Sequence, residues 1–400
     1  SLNLVPTNAH DVVIDINATI DIGASYTINS LVITNSAVVS FTVSGTSNRL
    51  ITIDNVGSSI DAGSSLTLIG AGATNTMTLA FAVSSSATMD IDGSLILSST
   101  GGGGKYIATN SVTTVLGLLK CENVASTPIT STSSNLSFGS GGTYEHALAA
   151  GTIPTATWDA TSTCYVTGTV STIPSGLGQS LGNLTFNCSG MTATLSLPST
   201  GLSIAGNLYI QNTGSGAISL QQTPLNVTGN CTIADDFTFG SSARTLNVTG
   251  NFSITGGTMT MSSGNIIGTL NVTGDFSATG GTITESSGGS GAIVFNKSGT
   301  QTYTSGATIS NIINFTVNSG STLQMASSST TVDGGGTFTL SSGATLGVTS
   351  VDGITTAGTA AGNIRTTGRT YTAGSNLIYN GTSNQDVGSG LANTNKANLT

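Results

Sequence analysis

Leu225-Asn226-Val227-Thr228-Gly229-Asn230 returns as Leu246-Asn247-Val248-Thr249-Gly250-Asn251 and again as Leu270-Asn271-Val272-Thr273-Gly274-Asp275. Gly229, Gly250 and Gly274 thus recur at nearly even intervals, and a shorter variant, Ile204-Ala205-Gly206-Asn207, stands one such interval before Gly229. A period in the low twenties is the signature of a solenoid. Within one unit Leu246, Val248, Phe252 and Ile254 alternate with Asn247, Thr249, Asn251 and Ser253. That period of two describes a pair of short strands flanking a glycine corner, one face apolar and the other polar. So small a unit buries its apolar face only against its neighbours, and parallel stacking makes each sheet continuous along the axis. The expected fold is an all-β, right-handed parallel β-helix (β-solenoid) with coils of about 20–24 residues, the hand following from the near-universal hand of parallel crossovers.

Working outward, the same reading extends over residues 1–400 as one continuous β-solenoid. N-terminal coils occupy 1–104, with corners at Ile20-Asp21-Ile22-Gly23, Ile60-Asp61-Ala62-Gly63 and Ile91-Asp92-Gly93. Less regular coils fill 105–190, and regular repeats run through 191–400, where Val317-Asn318-Ser319-Gly320 is echoed by Leu340-Ser341-Ser342-Gly343. At roughly 22 residues per coil and a strand spacing of about 4.8 Å, the chain predicts about 18 coils. The closing Asn398-Leu399-Thr400 repeats the openings of Asn183-Leu184-Thr185 and Asn314-Phe315-Thr316. The text thus stops in mid-strand, and the expectation is a piece of a longer chain whose open ends are templates for pairing.

Composition narrows the function classes. Charged residues make up 6% of the chain, 54 residues are glycine, and the formal net charge is −9, with only 8 lysines and arginines. Those eight form no cluster, so an electrostatic footprint for nucleic acid is missing. No apolar run is long enough to span a bilayer as a helix, so membrane insertion is not expected. Serine and threonine carry the polar surface, and no pattern calls for a cofactor or a metal: the calcium-binding Gly-Gly-x-Gly-x-Asp tandem and the phosphate-binding G-x-x-x-x-G-K-[ST] loop are both absent. The corner aspartates read as turn devices, as do Asp235, Asp236 and Asp352, which lack basic or aromatic neighbours.

The 105–190 segment carries the only tryptophan and three of the four cysteines. Glu145 and His146 are adjacent in sequence, so on a strand they point to opposite faces and do not form one acid–base pair. Trp158 is either a core anchor or a platform on which a sugar stacks. The four cysteines, at 121, 164, 188 and 231, contain no C-x-x-C pair. Cys164 and Cys188 are separated by one coil on the average period, which predicts a disulfide between them.

Thr143-Tyr144-Glu145-His146, Gly151-Thr152-Ile153-Pro154-Thr155-Ala156-Thr157-Trp158 and Ser162-Thr163-Cys164-Tyr165-Val166-Thr167-Gly168 together resemble a block of the large Gly/Ser/Thr-rich surface proteins of Bacteroidetes. Gln179 to Cys188 and Thr370 to Gln385 resemble the same proteins, so that most of 140–400 is covered. The resemblance implies a non-enzymatic, extracellular, adhesin-like or filament-forming protein, exported by the type IX secretion route and held at the cell surface or released. Its implied partners are the secretion and anchoring machinery, surface glycans and other copies of itself, and it implies no catalytic residues. The alternative is a carbohydrate-binding or polysaccharide-degrading β-helix. A degrading enzyme needs acidic and basic residues clustered on one face of neighbouring coils. A third reading, an ice- or carbohydrate-binding threonine array, rests on Thr192-Ala193-Thr194 and Thr258-Met259-Thr260.

Overall fold

The structure is a computed structural model that describes residues 5–71, 74–83, 86–99, 102–124, 128–286, 288–359, 361–391 and 398–399. The described residues are all-β, and every pairing between named strands is parallel, as in a β-solenoid of about 15 turns in all. The chain divides into two compact units, Ser1–Met191 and Thr192–Thr400, each built on the same plan of three stacked ladders.

In the first unit one ladder runs through Asp11–Ile14, Ser30–Ile33, Ser58–Ile60, Ala87–Ile91, Ser111–Val115, Leu136–Phe138 and Thr157–Trp158. Register puts Ile14, Ile33, Ile60, Ile91, Val115, Phe138 and Trp158 into one inward column. β-Branched side chains suit such a column because each packs on a copy of itself one coil away. The second ladder runs from Ala18–Asp21 through Leu118–Glu122, Thr143–Ala147 and Thr163–Val166 to Asn183–Asn187. The third comprises Tyr26–Ile28, Arg49–Ile53, Met77–Phe81, Gly104–Ile107 and Ile129–Thr130. Gly104 opens the strand Gly104–Ile107.

The second unit explains the repeated phrase letter by letter. Leu225, Leu246 and Leu270 are in register, as are Val227, Val248 and Val272, and all are buried. The asparagine between them faces outward: Asn271 Nδ2 donates to Asn247 Oδ1 at 2.8 Å, and Asn247 Nδ2 donates to Asn226 Oδ1 at 2.8 Å. The glycine is required by proximity. A Cβ on Gly250 would come within 2.5 Å of the Gly229 carbonyl oxygen, and one on Gly274 within 2.3 Å of that of Gly250. The last residue caps the corner, because the Asn230 amide reaches Asn207 Oδ1, that of Asn251 reaches Asn230 Oδ1, and that of Asp275 reaches Asn251 Oδ1, each at 2.8 Å.

Behind the corner an aromatic stack fills the core. Phe252 and Phe276 lie 5.3 Å apart at 20°, and Phe276 and Tyr303 5.1 Å apart at 3°. Phe295 and Phe315 meet this stack edge-on. Offset and edge-on geometries of this kind add to the hydrophobic burial of each ring.

Coil length varies more widely than the expected range. The step from Ile14 to Ile33 is shorter than that range and the step from Leu340 to Tyr371 is much longer, so the chain makes about 15 turns, fewer than its average period predicts. The ladders keep their strands short and the surplus goes into corners, where loops are accommodated at small entropic cost. Ile364, within the long step, bridges Ile354 in the same step and Val332, which precedes it.

Candidate functional site

The second ladder of the first unit carries the residues singled out by sequence. On the Thr143–Ala147 strand Tyr144 and His146 point inward and are fully buried, whereas Glu145 faces out. The Tyr144 hydroxyl and His146 Nδ1 are 3.0 Å apart. Burial pushes the His146 imidazole down to about 4, so the ring is neutral near pH 7. Its place in the core, one coil below Val166 and one above Cys121, is that of a packing residue.

All four cysteines are buried and free. The expected Cys164–Cys188 bridge is not formed. The local coil step is shorter than the average period, so Cys164 sits opposite Leu184, and Cys188 lies further along the chain. The four extended residues from Leu184 to Cys188 cover about 13 Å, well outside the Cα separation of about 4.4–6.8 Å that a disulfide accepts. The Cys188 thiol donates to the Val166 carbonyl at 3.3 Å. Burial pushes the Cys121 and Cys231 thiols up to about 12 and also raises those of Cys164 and Cys188. None is therefore a thiolate at neutral pH.

Trp158 is the last member of the inward isoleucine column. Its ring stacks on Phe138 at 4.1 Å and 15°, and Nε1 donates to Gln179 Oε1 at 3.0 Å. Gln179 is itself fixed, its Nε2 donating to the carbonyls of Pro154 and Gly176 at 3.1 and 2.6 Å. With one ring face covered by Phe138 and its N–H engaged, the indole is an anchor that is only half-buried because it ends its column.

The outer face of the same ladder holds what the sequence spacing hid. Lys120, Glu145, Tyr165 and Thr185 occupy one column in register. Lys120 Nζ lies 3.0 Å from Glu122 and 3.3 Å from Glu145. Thr167 Oγ1 donates to Glu145 at 3.3 Å, and Asn187 Nδ2 donates to the Tyr165 hydroxyl at 2.8 Å. Partial burial pulls the Lys120 ammonium down, but the hydrogen bond it donates to Glu122 and the charges of Glu145 and Glu122 outweigh it and leave its pKa raised. The lysine therefore stays charged. This group of charged and hydrogen-bonding side chains surrounds a half-exposed tyrosine ring. The steps that align it, Lys120 to Glu145 and Glu145 to Tyr165, are unequal and match no single period.

The corner carboxylates are fixtures of the turns. Asp235 Oδ2 accepts the Thr213 amide at 2.8 Å, and Asp236 Oδ1 accepts that of Thr258 at 2.7 Å. Asp61 is held below the usual carboxylate range by hydrogen bonds from Thr34 and Ser59. Asp21 accepts the Ser44 amide and hydroxyl at 3.0 and 2.5 Å; at Asp352 it is the backbone amide that bonds, donating to Ser350 Oγ at 3.3 Å. Among the described residues, no three His, Cys, Asp or Glu side chains are grouped to hold a metal ion. No helix among them is long and apolar enough to cross a membrane.

Comparison with protein families, with curated proteins and with solved structures finds no match.

Proposed function

We propose that the protein is a non-enzymatic structural or adhesin-like stalk, displayed outside the cell, whose coils carry weakly charged polar faces to glycans or to other copies of the chain. The β-solenoid fold is compatible with such surface proteins. The observation that supports this reading best is how the repeated polar side chains are used. Asn226, Asn247 and Asn271 bond to one another, and Asn207, Asn230, Asn251 and Asp275 form a second such row. Residues spent on stacking serve length and rigidity. The likeness of 140–400 to Bacteroidetes surface proteins adds export by the type IX route, with that machinery as a partner.

The test is to label intact producing cells with an antibody to the protein, and to incubate the purified chain with a panel of polysaccharides. Surface labelling with no new chain ends is the expected result. Release of reducing or unsaturated ends, or labelling only after lysis, would overturn the proposal.

A further inference from the structure

The second unit contains a hollow of about 430 Å³ whose walls come from three successive coils. Ser305 and Thr308 line it from one coil, Ser329, Thr331 and Asp333 from the next, and Arg365 from the third. The segment that brings Arg365 there is locked by backbone bonds: the Val332 amide donates to Asn363 O at 2.7 Å and the Arg365 amide to Val332 O at 2.8 Å. Arg365 Nη2 then meets Asp333 Oδ2 at 2.7 Å, and Nη1 donates to Thr359 O at 2.8 Å. The guanidinium Nε is buried with no hydrogen-bond partner. Asp333 Oδ1 accepts the Gly334 amide at 2.8 Å, yet the carboxylate remains 44% exposed and keeps lone pairs for a ligand. Ser305 Oγ accepts the Thr331 amide at 2.8 Å, which leaves its own hydrogen free to donate.

A row of hydroxyls that ends on the lining residue Thr308 leads along the coils to this hollow, and a second row runs beside it. Thr258, Thr282 and Thr308 are in register, and so are Thr238, Thr260 and Thr284, on the third ladder of the unit, which comprises Thr194–Ser196, Ala217–Ser219, Phe237–Thr238, Thr258–Thr260, Thr282–Thr284 and Thr308–Ile309. Their inward neighbours Phe237, Met259 and Ile283 are buried, so the threonines stand on a packed, regular base.

We infer that the hollow bounded by Ser305, Ser329, Asp333 and Arg365 is a binding site for a neutral oligosaccharide, one terminal sugar in the hollow and the next units along the threonine rows. The chemistry selects the class. The volume falls in the range of about 300–1,000 Å³ for small-molecule sites, but the walls are hydroxyls and an ion pair where such sites are usually apolar. An apolar ligand would strand these polar groups without partners. An anion would face the Asp333 carboxylate, whose charge balances that of the guanidinium. A polyol both donates and accepts: its hydroxyls give hydrogens to Asp333 and take them from the serine and threonine hydroxyls. Coil spacing of about 4.8 Å offers a fresh set of hydroxyls at each step, a rise comparable to the length of a sugar ring.

Saturation-transfer NMR on the full chain, with neutral gluco-, galacto- and manno-oligosaccharides of two to six units, tests this. At least one series is expected to bind, and Ser329→Leu, which fills the hollow from an exposed position, and Asp333→Asn are each expected to weaken it tenfold or more. Far-UV circular dichroism should be unchanged in both, and Thr67→Ala, in the other unit, should leave affinity intact. The inference is overturned if no oligosaccharide binds, if only anionic ligands do, or if binding ignores both substitutions. Such a failure leaves the stalk proposal standing, because that proposal is read from surface labelling and chain cleavage.

Discussion

The coils from Leu118 to Asn187 and those from Leu225 to Asp275 stack in the same way and use their side chains differently. In the second region the columns of the repeated phrase each repeat one residue: leucine on leucine, valine on valine, asparagine on asparagine. In the first, an inward column reads Leu119, Tyr144, Cys164, Leu184 and an outward one Lys120, Glu145, Tyr165, Thr185. A repeated column solves one packing problem many times, and its outer side chains satisfy one another. A mixed column needs each neighbour fitted to the next, but leaves ionised and aromatic groups on the outside. Regularity supplies length, and departure from it supplies a surface with chemical character.

The sharpest way to break the contrast is to damage the regular core. Phe276→Ala removes the middle ring of the Phe252, Phe276 and Tyr303 stack and should cost about 4 kcal/mol, the usual toll of truncating a buried phenylalanine. In a stack of nearest-neighbour coils the loss is local, so hydrogen exchange should accelerate in coils next to Phe276 and stay unchanged around Tyr144. Uniform acceleration throughout the chain would show that the two regions do not differ in this respect.

A smaller effect probes the mixed column through pH. The folded pKa of His146, about 4, lies below its value of about 6.5 in the unfolded chain, so the unfolded state binds more protons between those limits. Stability from this group is present above pH 6.5 and declines as pH falls toward 4, by an amount on the order of 3 kcal/mol. His146→Leu should flatten the denaturation midpoint across that window. The carboxylates Asp11, Asp61 and Asp159, whose pKa values are lowered by hydrogen bonds, lose their contribution at more acidic pH and do not mask the effect. An unaltered pH slope in the variant would move His146 out of the buried column.

The smallest expected change lies on the outer row. Asn247→Ala deletes two side-chain bonds, to Asn226 and from Asn271, and should lower stability by about 1–2 kcal/mol at any neutral pH. A neutral result in urea titration would mean that water replaces the row without loss.

Much of the fold was legible because stacking writes itself into the sequence. Leu246 and Val248 had to alternate with Asn247 and Thr249, and Gly250 had to recur where no Cβ fits. Pairing was less legible because register depends on the length of each corner. An average period placed Cys188 beside Cys164, whereas the shorter local step placed Leu184 there. The same variation hid the Lys120, Glu145 and Tyr165 column. Trp158 was ambiguous for another reason: only the aligned column of Ile14, Ile33, Ile60 and Ile91 shows it to be a continuation of the core.

The parallel ladders also set how such a coil answers a pull. Inter-strand bonds lie along the stacking axis, so tension applied between the ends of a stack loads one outermost coil at a time and peels it off. Between short steps such as Ile14 to Ile33 and long ones such as Leu340 to Tyr371, each released coil pays out roughly 65–105 Å of slack chain at about 3.4 Å per residue. A stack of this kind behaves as a series of fuses of unequal length, giving way in steps under load and sparing whatever is fastened at its ends.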